Sequence, residues 1–215
     1  MCGRYYINEE TAREIEKAAG LADEIRRGPW AMGISPGEIC PTDRAPVLAG
    51  KGGSLRCKWA RWGFLSEPFR KNRRCGEPYQ ERESREKQVI FLARRETVME
   101  KPLFRDSLCH DRVAVPAAWF YEWNVSREKN AFYRTDSTVL FMAGISRQYE
   151  DGERFVILTT GANASMSPVH DRMPLILEKG DLGPWIFDGG RTEEILEKPP
   201  CLLGRRCDYE QLSMF

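Results

Sequence analysis

The chain has 215 residues, with 33 basic and 32 acidic side chains, a formal net charge of +1, 41% hydrophobic residues and 30% charged residues. That length suits one domain, 1–215, able to bury a core without disulfides or metal, and the composition is that of an ordinary globular protein. The near-neutral balance excludes a global basic field, so any contact with nucleic acid has to come from a local patch.

Residues 4–7 (RYYI) read as a short strand, and Asn8 as the N-cap of a helix over EETAREIEKAAG, stopped by Gly20. Residues 21–33 continue as a second helical piece. The segment 34–50 is rich in proline and glycine and therefore extended, with a strand over 45–48. Lys51 to Gly53 form a hairpin tip, and 55–65 (LRCKWARWGFL) returns as a strand. From 66 to 88 the chain turns charged and almost free of aliphatic residues, which reads as a solvated surface loop. Within it Arg70, Lys71, Arg73 and Arg74 could face phosphates, although interspersed glutamates dilute their field.

Order resumes at 89–97, with a short helix through Phe104. The stretch 112–124 (RVAVPAAWFYEWN) is strand, and 131–134 with 138–145 reads as a hairpin around Thr135 to Ser137. A strand follows over 155–163, then a loop into HDRMPLIL at 170–177, a short glycine-bounded helix over 180–189 and an irregular tail. The sum is an α+β chain, a β-dominated domain of short antiparallel strands in barrel-like sheets with a few peripheral helices.

Seven cysteines are scattered without CxxC spacing, which reads as reduced intracellular thiols. The two histidines, His110 and His170, lie in no ligand-spaced cluster, so no metal or cofactor is expected. The N-terminus carries no charged-then-apolar leader and no apolar run approaches about 18 residues, so a soluble, cytoplasmic protein away from membranes is expected.

Chemistry concentrates at a few positions. Once Met1 is removed, Cys2 carries an α-amine and a thiol on adjacent carbons, and the unperturbed groups titrate near ~8 and ~8.5. An aldehyde taken by the amine as an imine is then open to the thiol, and because that second attack is intramolecular it closes a thiazolidine ring at little entropic cost. Glu122, among Trp119, Phe120, Tyr121 and Trp123, suits a proton shuttle if its strand face is buried; alternation equally allows a solvent face. His170 sits at a loop-to-strand junction, where functional residues gather. Asp171 can orient its ring, and Arg172 can hold a phosphate or lie free on the surface.

MCGRYY at the start, RWGF at 61–64, ARRET at 93–97, VPAAWFYEW at 115–123 and HDRMPLIL at 170–177 together resemble, in order, the motifs of the SRAP (SOS-response-associated peptidase) family. The resemblance implies a sensor of abasic sites in single-stranded DNA, in the cytoplasm at the nucleoid, whose terminal cysteine forms a thiazolidine cross-link that shields the lesion; nothing in the sequence suggests more than a monomer. It makes Cys2 the nucleophile, Glu122 the group assisting sugar opening and imine formation, and His170 a proton-transfer residue. Arg4, Arg94 and Arg172 become phosphate contacts, Trp62 a wedge or stacking platform, and Pro36 and Met173 lining residues. Two other readings stay open: a cysteine autopeptidase or thiol hydrolase using Cys2, His170 and Glu122, and a non-covalent single-stranded DNA-binding module. The chain departs from the family's pattern at Leu92, where the family has asparagine, at Ala118 and Trp119, where it has an acid and glycine, and at Gly33, again an asparagine. Arg95 is near enough in sequence to Leu92 to substitute for the missing polar group.

Overall fold

The computed structural model describes residues 3–18, 34–66 and 88–207. The expected helical piece at 21–33, with Gly33, and the loop positions 67–87 lie outside the described residues, as does Cys2. The chain opens with β1 (Arg4–Ile7) and α1 (Glu9–Ala18). Asn8 caps α1: its Oδ1 accepts from the Thr11 amide at 2.8 Å, supplying an acceptor the first turn lacks.

Then come β2 (Gly37–Ile39), β3 (Arg44–Lys51), β4 (Ser54–Trp62), β5 (Phe64–Leu65), β6 (Val89–Ile90) and β7 (Leu92–Arg94). A 3-10 turn over Arg95–Thr97 leads to α2 (Pro102–His110), which runs past the expected end at Phe104. The strands β8 (Arg112–Ala117), β9 (Trp119–Trp123), β10 (Lys129–Tyr133), β11 (Leu140–Tyr149) and β12 (Gly152–Gly161) follow. After β13 (Arg172–Pro174) and β14 (Ile176–Leu177) come α3 (Leu182–Phe187), α4 (Thr192–Glu197) and β15 (Gly204–Cys207).

The architecture is strand-dominated, as expected, and has two main parts. Strands β12, β4, β3, β8 and β11 pair in that order, and β11 pairs back to β12, closing a barrel. Closure leaves those strands without free edges. The ten-residue β12 holds the closure together by sharing its length: Arg154 and Phe155 pair with β4, Ile157 to Thr159 with β7, and Thr159 to Gly161 with β13. Its pairings with β4 and β7 are parallel, which the expected all-antiparallel pattern did not include. The second sheet has the order β15-β10-β9-β1-β2.

Two expectations are corrected. Residues 131–134 and 138–145 do form strands but not with each other: β10 pairs β9 and β15, whereas β11 pairs β8, β12 and β14. The turn between them carries the chain from one sheet to the other. The tail also contributes β15, an edge strand on β10.

Tyr5, Phe120 and Phe132 stand in one row on the inner face of the second sheet, with Phe120 and Phe132 stacked at 5.4 Å. Tyr5 meets Trp62 of the barrel at 5.2 Å, which joins the two cores. Gly63 explains the RWGF spacing: its φ is +122°, and an added Cβ would fall 2.3 Å from a Val89 methyl, so only glycine bends the chain there.

Candidate functional site

β9 decides where the acid goes. Side chains alternate along a strand, so Phe120 and Glu122 share one face. That face is the inner one. Phe120 is fully buried and Glu122 is 2% exposed, and the solvent-face alternative is thereby excluded. The aromatic neighbours Trp119, Tyr121 and Trp123 point the other way, so the enclosure of Glu122 comes from across the sheet and not from its sequence neighbours. Asn130 lies opposite it on β10 and is equally buried.

His170 closes the loop between β12 and β13. Its amide donates to Met166 O at 3.0 Å, and the loop is anchored by Asn163, whose Nδ2 donates to the carbonyls of Pro200 and Cys201. Nε2 of His170 stands 3.7 Å from Glu122 Oε1. Its Nδ1 accepts from the Arg172 amide at 3.0 Å, and the Asp171 carboxylate lies 2.8 Å from the same nitrogen. Those contacts suit different forms of the ring. The fixed backbone donor selects the neutral tautomer that carries its proton on Nε2, facing Glu122. The solvent-exposed Asp171 can receive the second proton's hydrogen bond when the ring is cationic.

Arg172 is braced rather than free. Its guanidinium binds Glu96 with both nitrogens, at 2.7 and 2.9 Å, and donates to Thr159 O at 2.8 Å. The paired Arg172 holds the Glu96 carboxyl below its usual range. A phosphate at Arg172 would therefore compete with an existing partner. Arg4 faces outward from β1, bound to Glu38 at 3.0 Å and 5.5 Å from the Trp123 ring centroid. Arg94 is exposed at the end of β7. Arg95 turns away, donating to the carbonyls of Leu196 and Lys198, so it does not stand in for the polar group missing at Leu92.

Trp62 is corrected. It is fully buried between Tyr5, Phe91 and Phe155, with its indole N–H donating to Phe91 O at 2.8 Å, so neither ring face is open to a base. Met173 is likewise fully buried, and Pro36 is exposed ahead of β2. Glu122, His170 and Arg172 are thus brought together. Cys2 lies outside the described residues, but β1 is in register with β9 so that Arg4 opposes Tyr121, and the first described residue, Gly3, precedes Arg4 on the side of Glu122. Glu96 is the participant that reading by sequence missed, although it lies inside the ARRET motif.

Leu92 lies on β7 beside Ile157, half-buried, and lines a cavity of about 380 Å³ with Phe91, Arg94, Lys101 and Phe104. Among the described residues no helix is long and apolar enough to cross a membrane.

A family model described as SOS response associated peptidase (SRAP) matches residues 1–212. The abasic site processing protein YedK of Escherichia coli (strain K12) is 32% identical over 207 residues, covering 91% of this chain and 85% of that protein. The abasic site processing protein YoqW of Bacillus subtilis (strain 168) is 28% identical over 195 residues, covering 86% and 80%. Among solved structures, a protein from Bacteroides thetaiotaomicron superposes with a TM-score of 0.70 at 18% identity, covering 96% of this chain and 91% of that one. A Bordetella bronchiseptica protein gives 0.68 at 20% identity, covering 96% and 99%. At such identities the structures speak to fold.

Proposed function

This chain belongs to the SOS response associated peptidase (SRAP) family, and from that premise we propose that it captures abasic sites in single-stranded DNA covalently through Cys2. The observation that carries the reading is the buried Glu122 beside His170. A carboxyl in a water-poor setting beside an imidazole is suited to moving protons, which is what the chemistry requires.

The steps balance as follows. Opening the abasic sugar moves the proton of its anomeric hydroxyl to the ring oxygen and leaves an aldehyde. The Cys2 amine adds to that carbon, the resulting hydroxyl is protonated and leaves as water, and an imine forms. The Cys2 thiol then adds to the imine carbon while its proton passes to the nitrogen. The net change is loss of one water. In this reading Glu122 supplies the proton to the departing hydroxyl, and His170, as the cation with Nδ1–H on Asp171, returns one to Glu122 from Nε2 and becomes neutral. Met1 has to be absent, because the amine is half of the nucleophile.

The test is incubation with single-stranded DNA holding one abasic site, followed by a denaturing gel. A heat-resistant adduct that disappears in Cys2→Ala supports capture. Peptide cleavage without adduct would favour the thiol-hydrolase reading, and salt-sensitive binding alone the non-covalent one.

A further inference from the structure

Apart from Arg4 beside Trp123, the outward face of β9 is used by nothing described so far. It presents Trp119, Tyr121 and Trp123 as a run of rings interleaved with cations. Trp119 lies parallel to Tyr6, with ring centroids 4.5 Å apart and planes within 3°, and meets Tyr121 edge-on. Arg206 of β15 lies 5.7 Å over Trp119, and Lys129 sits 3.7 Å over Tyr121.

At Trp119 this face sinks into a cavity of about 510 Å³ that Tyr133, Thr135, Ser137 and Arg206 also line. The Trp119 indole N–H is buried and has no hydrogen-bond partner among the described residues. A buried donor left unpaired is costly and marks a place for an acceptor. Arg206 supplies a cation to the face and has no carboxylate partner among the described residues. Two acids line the cavity, Glu10 and Asp136, and Asp136 is already bound by Arg134.

We propose that this outward face is a second contact surface for single-stranded DNA, taking a nucleobase against Trp119 and Tyr133 and the neighbouring phosphate on Arg206. Rings stack on any base, base edges offer the acceptor that the indole N–H lacks, and the cation tracks the backbone. Trp119 and Glu122 lie on opposite faces of β9, so this surface is separate from the Glu122 site. The proposal rests on the reading that this chain binds DNA.

The experiment is fluorescence anisotropy with a labelled oligothymidine lacking any lesion, titrated at several salt concentrations. Arg206→Ala is expected to weaken binding and to flatten the dependence of log K on log salt by about 0.7. Trp119→Ala is expected to lose at least about fivefold in affinity, with Trp119→Phe recovering most of it. Wild-type affinity and slope in Arg206→Ala, an exposed position where folding is not at stake, would overturn the second surface while leaving capture at Cys2 standing. A wild-type protein that neither binds nor reacts with single-stranded DNA would remove the proposed function and this inference with it.

Discussion

Nε2 of His170 stands 3.7 Å from Oε1 of Glu122, while the other ring nitrogen accepts the Arg172 amide at 3.0 Å. A backbone donor thus orients a histidine toward a carboxyl that is almost sealed from water. Glu122→Gln keeps the shape and removes the proton. It is expected to slow adduct formation about 10²- to 10⁴-fold in single-turnover time courses, with an unchanged far-ultraviolet circular dichroism spectrum. A wild-type rate in that variant would contradict a proton role for Glu122.

Because the two groups act on one proton path, their losses should not add. His170→Gln alone is expected to slow the reaction, and Glu122→Gln with His170→Gln to be little worse than the slower single variant. A double-mutant cycle measures this as a coupling of about 0.5–3 kcal/mol. Strict additivity would separate their roles.

The Arg172–Glu96 pair makes a pH-dependent contribution whose sign is fixed. Arg172 lowers the Glu96 carboxyl from its reference of 4.5, so the folded state holds the anion more firmly than the unfolded chain does. The stabilisation is therefore present above about pH 4.5 and is lost as pH falls through the depressed folded value. Glu96 is 45% exposed, so the effect is modest. Glu96→Gln is expected to lower the urea midpoint at neutral pH, and the difference from wild type to shrink in acid. A difference that grows on acidification would contradict the pairing.

Cysteines other than Cys2 should stay out of the chemistry. Burial, with the nearby Glu16 carboxylate adding to it, pushes the Cys57 thiol up to about 12, whereas Cys109 is exposed. Thiolate is the reacting form. A maleimide at neutral pH should label Cys109 early and Cys57 late, read by peptide mass mapping. Equal labelling rates would contradict the assigned burial.

Leu92 puts an apolar side chain where the resemblance by motif implies an asparagine. Arg95, a donor close by in sequence, is spent on α4 and the segment after it. Leu92→Asn is expected to accelerate adduct formation, and an unchanged or slower rate would show that the missing amide does not limit this protein.

Much of the local structure was legible because its causes are local. Asn8 announces its own helix cap, and Gly52 and Gly53, both with positive φ, mark the β3–β4 turn. What pairs with what was less legible, because pairing partners are chosen across the whole core. The runs at 131–134 and 138–145 look like a hairpin to any reading of neighbours, yet each belongs to a different sheet. The β15 segment, GRRC, has no alternating apolar pattern, and it becomes a strand because β10 offers it an open edge.

The site divides in the same way. Glu122 and His170 could be named from residue type and motif, but alternation alone left the direction of Glu122 open until the burial of Phe120 settled it. Trp62 misled for a related reason: a tryptophan in a strand serves a core as readily as a base, and Tyr5 and Phe155 claim this one. Trp119 was visible as a ring on the strand, but its stack on Tyr6 required the β1–β9 register.

The central claim is most directly tested by intact mass analysis of the protein after reaction with single-stranded DNA holding one abasic site. Capture by Cys2 predicts one species whose mass is that of the chain without Met1 plus the DNA, less one water, absent in Cys2→Ala and in a variant with Met1 retained. The corresponding adduct in Cys2→Ala, the variant chain plus the DNA less one water, or no adduct from the wild-type chain with a free Cys2 amine, would contradict it.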